Sequence, residues 1–216
     1  VDEHVALSGT GAQLGDTAVL FTDQARPGVT SLLGWTFVDV ADAAATVSCS
    51  LFYKHIDATD ISNGYLSIAD TTWGERFALA ILSGEAKPVD SSWVNLWGGG
   101  PITGTVPALS LGSIEGSIGL ASIVSSGTIN FLDIPTGYEE IGFADAAYQQ
   151  LLWAYDPDTV GAMDFQIYEG FRRTVIIAAA FARPNTIATD DFNRANEQLD
   201  VSANWDSDGW ANIVVS

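Results

Sequence analysis

Along most of the chain, apolar and polar residues alternate with a period of two. Met163, Phe165 and Ile167 share one face, and Asp164, Gln166 and Tyr168 share the other. Successive side chains leave a strand on opposite sides, so this pattern predicts a half-buried β-strand. The run Phe77 to Leu82 differs: Phe77, Leu79 and Ile81 oppose Ala78, Ala80 and Leu82, and both faces are apolar. That predicts a central strand covered on both sides. The longest apolar run, Val175 to Ala182, reads as a buried strand and is far too short to span a bilayer. Gly, Asn, Asp and Ser clusters separate such runs, and no stretch keeps a helical period with caps. Many short strands with regular turn signals predict an all-β sandwich or barrel.

An internal repeat sharpens this expectation. Gly34-Trp35 is matched by Gly137-Tyr138, and Val40-Ala-Asp-Ala-Ala44 by Phe143-Ala-Asp-Ala-Ala147. Upstream, Leu14-Gly-Asp-Thr-Ala-Val19 is similar to Glu115-Gly-Ser-Ile-Gly-Leu120. Downstream, Arg76 to Leu82 is similar to Arg173 to Ala179. Two halves, 1–89 and 105–184, are expected to pack face to face as one sandwich over 1–184. Residues 90–104 carry Gly98-Gly-Gly-Pro101 and predict a loop crossing one end. Residues 185–189 follow Pro184 and predict a hinge-like linker that proteases cut first. Residues 190–216 are too few for a core of their own and read as the opening of a second, truncated β domain.

Composition narrows the function. Hydrophobic residues make up 47% and charged residues 16%, which suits a packed core rather than disorder. The 27 acidic and 8 basic residues give a formal charge of -19, which repels phosphate backbones and argues against nucleic-acid binding. Membrane insertion is not expected. Cys49 is the single cysteine, so no intrachain disulfide exists. It shares a strand face with Val47, Leu51 and Tyr53 and is expected to be a buried structural thiol.

The catalytic inventory is thin. His4 and His55 are the two histidines, and neither lies in a recognisable Ser or Cys motif. No His or Cys spacing suits a metal. The acidic pair Asp57 and Asp60, and the group Asp156, Asp158 and Asp164, match no calcium-loop spacing and read as solvated turns. No pair of carboxylates stands out for glycoside cleavage. The expectation is a non-enzyme with no cofactor and no metal site. Seven tryptophans are many for this length, and Trp35, Trp73 and Trp153 lie in or beside strand patterns, as core residues do. Trp93 and Trp97 lie instead in the glycine-rich segment. They are the candidate interface or glycan-contact residues, with end caps of the sandwich as the alternative.

Four motifs carry a resemblance: Gly15-Asp16-Thr17, Gly34-Trp35-Thr36, Leu51-Phe52-Tyr53-Lys54 and Arg76 to Leu82. Together they resemble a β-sandwich domain of bacteriophage and prophage tail, head-fibre and surface proteins, over roughly 1–184. The second half departs from it, with Tyr138 in place of Trp and Asp156 where Lys is expected. Asp191-Phe-Asn-Arg-Ala-Asn196, with Asn204-Trp205, resembles the first strand of a concanavalin or laminin-G-like domain. The resemblance implies a jelly-roll-like sandwich at the virion surface. It implies a structural role, with the sandwich attached to a phage capsid or tail and a C-terminal domain projecting outward. Fibre-like proteins of this kind are often trimers, so a homotrimer is expected. The alternative is a carbohydrate-binding or adhesin module on a cell or virus surface.

Overall fold

The period-two segments become strands. The computed structural model describes residues 3–24, 28–42, 47–68, 76–99, 102–106, 118–125, 138–144, 149–155, 163–167, 171–182 and 213–215. In the first half these form β1 (Glu3–Ala6), β2 (Thr17–Gln24), β3 (Thr36–Asp42), β4 (Ser48–His55), α1 (Ala58–Asn63), β5 (Tyr65–Ile68), β6 (Arg76–Leu82) and β7 (Lys87–Gly99). In the second they form β8 (Ile102–Val106), β9 (Ile118–Ser125), β10 (Tyr138–Ala144), β11 (Gln149–Tyr155), β12 (Met163–Ile167), β13 (Phe171–Ala182) and β14 (Ile213–Val215). The protein is all-β, with one short helix among the described residues.

Two five-stranded antiparallel sheets run in the orders β14-β6-β2-β4-β3 and β7-β13-β9-β11-β10. Two small sheets pair β1 with β5 and β8 with β12. Advancing every strand number by seven maps this whole pattern onto itself. Each half builds four strands of one large sheet and gives its last strand to the other. β7 follows β6 but lies beside β13; β14 follows β13 but lies beside β6. A jelly roll alternates successive strands between its two sheets. Here each half keeps its own sheet, and the two sheets exchange their closing strands.

The registers repeat as well. Phe21 stands opposite Leu51, and Ser122 opposite Leu152, 101 residues on. β3 bulges between Phe37 and Asp39 and β10 between Glu140 and Gly142. The bulged residues, Val38 and Ile141, are equivalent positions, and both pack against the central core. On the last shared strand the ladders correct the alignment drawn from sequence. Thr17 faces Leu82, and its equivalent Ile118 faces Phe181. Arg76 therefore corresponds to Val175, not to Arg173. A slip of two keeps every side chain on its face, so alternation alone does not detect it.

The central core lies between the large sheets. Val19, Phe21, Cys49, Leu51, Ala78, Ala80 and Leu82 of the first sheet meet Leu120, Val124, Val175, Ile177, Ala179 and Phe181 of the second. Equivalent positions differ in size: Phe21 against Ser122, Tyr53 against Ala154, Ala78 against Ile177, Leu82 against Phe181. The two cross-sheet contacts pair side chains of similar size: Cys49 Sγ lies 3.8 Å from Ser122 Oγ, and Tyr53 packs edge-on to Phe181. Cys49 is fully buried beside Val47 and Leu51, as its pattern predicts.

The outer face of the first sheet is buried too. Phe77, Leu79 and Ile81 join Leu20, Phe52 and Trp35 under Val5, Leu66 and Ile68 of the β1–β5 pair. β6 is therefore covered on both faces, as expected. On the second sheet Ala121, Ile123, Ile176, Ala178 and Ala180, which alternate with the core positions, are also fully buried.

The loop expected at 90–104 is largely strand, because β7 reaches Gly99 and β8 starts at Ile102. β7 forms a ladder along the whole of β13, which carries the longest apolar run of the chain. Pairing against such a neighbour outweighs the poor strand propensity of Gly98 and Gly99. The linker expected at 185–189, with 190–212, lies outside the described residues. Within the expected second domain, Ile213, Val214 and Val215 pair with Ala80, Leu79 and Ala78 of the first sheet.

Candidate functional site

The site worth building is β7, and its placement begins with Gly15-Asp16-Thr17. Residues 83–86 carry the chain from β6 in one sheet to β7 in the other. The Asp16 carboxylate accepts from the backbone N–H of Gln13 (2.7 Å) and of Gly84 (2.8 Å). The buried Thr17 hydroxyl accepts from the Ala86 N–H at 2.7 Å and donates to the Gly84 carbonyl at 2.9 Å. His55 Nδ1 lies 3.1 Å from the same hydroxyl. Gly15 has a φ of 88°, a left-handed turn that favours glycine. These three residues form a clasp on the crossing. At the equivalent positions the second half has Gly116-Ser117-Ile118, and its connection to β14 runs through residues 183–212 instead of four. Thr17→Val should cost about 1–3 kcal/mol in urea unfolding, since the buried Ala86 N–H loses its acceptor. Thr17→Ser should lose much less.

Held this way, β7 forms one edge of the second sheet. Trp93 stands opposite Ile177 of the central core, so it lies on the inward side of the strand at the rim. It is 44% exposed there, and Val89 is 42% exposed. Ser91 Oγ donates to Asp39 Oδ2 of β3 at 2.9 Å, joining the rims of the two sheets. Trp97 occupies the register position opposite Arg173. Both candidate tryptophans thus sit four residues apart on one edge strand rather than in a loop. Even spacing was the available signal, since residues i and i+4 share a strand face. The Ser91–Asp39 bond had no sequence signal, because it depends on how the sheets stack. At submicromolar concentration Trp93→Ala should change stability by about 1 kcal/mol or less, as half-exposed positions do. Trp35→Ala should cost about 3–5 kcal/mol by the same measurement.

The other motif residues are used inside the fold. Trp35 is buried, and its Nε1 donates to the Ser67 carbonyl at 3.0 Å. Gly34, with φ 81°, makes the turn before it. Asp57 caps α1, accepting from the Thr59 and Asp60 N–H groups at 2.7 and 2.9 Å. Asp60 accepts in return from the Asp57 N–H at 3.0 Å, completing a capping box. Lys54 Nζ lies 2.7 Å from Asp60 Oδ2. The acidic pair read as a solvated turn is therefore half exposed cap and half buried ion pair. His4 is exposed and packs against Tyr65 with the rings tilted at 50°. Trp73, Asp156 and Asp158 lie outside the described residues, as do the side chains of Trp97, Trp153 and Asp164. Among the described residues no group of three His, Cys, Asp or Glu is placed to hold a metal ion.

The Asp60 N–H, foremost, holds the Asp57 carboxyl below its ordinary value of 3.8, against the opposing effect of burial and with help from Thr59 and Lys54. A depressed folded value means the cap's contribution is complete above about pH 3.8 and is lost as pH falls through the lower folded value. Amide exchange at Thr59 and Asp60 should accelerate in that acid range. Asp57→Asn, which still caps, should remove this pH dependence. Compared with known proteins, the chain matches no family model, no curated protein and no solved structure.

Proposed function

We propose that the chain is a structural component of a bacteriophage particle surface, attached to a capsid or tail through its sandwich. The observation that carries this reading is the use of its motif residues. Asp16, Thr17, Trp35, Lys54 and Asp60 all make hydrogen bonds within the fold, as a clasp, a core anchor and a capped ion pair. They are the residues of the motifs that resemble phage surface proteins, or lie against them, and they serve rigidity rather than chemistry. At the rim of the sandwich an edge strand holds a half-exposed tryptophan, the kind of residue that anchors protein contacts. The acidic surface suits a particle exterior, where contact with nucleic acid is not wanted.

The half-exposed Trp93 also favours a second reading, a carbohydrate-binding or adhesin module, because an indole face stacks on sugar rings. One experiment separates the two. Particles purified from the source culture are labelled with antibody to the chain, and the recombinant chain is applied to a glycan array. Regular labelling of particles without array binding supports the structural reading. Absence of label on particles, with saturable array binding lost in Trp93→Ala, overturns it in favour of the second.

A further inference from the structure

The four edges of the two large sheets are not alike. β3 is interrupted by its bulge at Val38 and carries Asp39 and Asp42. β10 is bulged at Ile141 and carries Glu139 and Glu140. β14 is described over Ile213–Val215. Bulges and charges are ordinary means of stopping one edge from pairing with another. β7 has such protection at its start alone, in Lys87, Pro88, Asp90 and a register shift opposite Ala180–Phe181. From Ser91 to Gly99 it runs nine residues without a charge, a proline or a bulge. Among the described residues no strand pairs with its outer side. In a chain with a formal charge of -19, this is a neutral strip along which two copies can approach.

We propose that two copies of the chain pair through the outer edges of β7, antiparallel and centred on Asn95. Asn95 is the midpoint of the uncharged stretch. Antiparallel pairing of two identical segments overlaps most fully when the midpoint faces itself. In that register Trp93 of one copy faces Trp97 of the other, and the two-fold axis supplies this pair twice. Cross-strand aromatic pairs are among the stronger sheet contacts. Ser92 of each copy faces Gly98, and Ser91 faces Gly99, so the glycines stand opposite small residues. The spacing of the two tryptophans and the glycines after them thus have one common explanation. The contact uses the same edge of both copies, so it closes at two and does not propagate. The inference is independent of the phage reading. Failure to label particles would leave the dimer standing, and a monomer would leave the phage reading standing.

The test uses the whole chain. Light scattering at tens of micromolar should give twice the 22.9 kDa of one copy. Trp93→Ala combined with Trp97→Ala should weaken association at least tenfold. Should that variant fold poorly, Asn95→Glu places like charges across the axis at an exposed position and should weaken association equally. Asn95→Cys should form an intermolecular disulfide under mild oxidation. Thr36→Cys, exposed on the protected β3 edge, should stay monomeric on a non-reducing gel. A monomer at that concentration, a threefold mass, or equal cross-linking through Thr36→Cys would each overturn the proposal.

Discussion

Phe21→Ala is expected to lower the unfolding free energy by about 3–5 kcal/mol. Phe21 is fully buried on β2, the middle strand of the first sheet, and faces the core shared by both sheets. Removing the ring leaves a void that the close-packed residues around it fill only in part. The loss is a large fraction of the stability of a typical domain, about 5–15 kcal/mol. Phe21→Leu keeps most of the volume and should cost less than half as much. Urea unfolding of the wild type and both variants checks this. A loss below about 1.5 kcal/mol for Phe21→Ala, well short of the range for a packed ring, would mean the sheets do not meet at Phe21.

Lys54→Met should cost about 3 kcal/mol, the low end for breaking a buried ion pair, because the side chains of Lys54 and Asp60 remain 15% and 10% exposed. Most of this cost comes from what remains: an Asp60 carboxylate largely removed from water, with the Asp57 N–H as its other described partner. Asp60→Asn keeps an oxygen for that N–H and removes the charge. The double variant Lys54→Met with Asp60→Asn should therefore recover a good part of the loss. Strict additivity of the two single changes would show that the ammonium and the carboxylate do not depend on each other.

Much of the strand content was legible in the residues, and so was the two-faced burial of β6. A period of two reports which side a residue occupies, and apolar residues on both sides report cover on both. The same logic placed Cys49 in the core. It failed at 90–104, where three glycines in a row signal a loop locally. The strand there exists because β13 offers a long apolar neighbour, and no window within β7 contains that information. The acidic pair Asp57 and Asp60 was legible as a turn but not as a cap with a cationic partner. The capping box shows in the three-residue spacing. The ion pair needs the end of β4 brought against α1.

By itself the sequence determined the class of the fold, its division into related halves and the face on which most strand residues lie. These follow from local alternation and from repetition, which survive without knowing any contact. The tertiary structure alone decided that the halves exchange their closing strands, that Gly15-Asp16-Thr17 clasps the first crossing, and that Trp93 sits on an open edge. Strand partners are chosen by pairing and burial between segments far apart in the chain. Alternation says which way a side chain points, and says nothing about the strand it will lie beside.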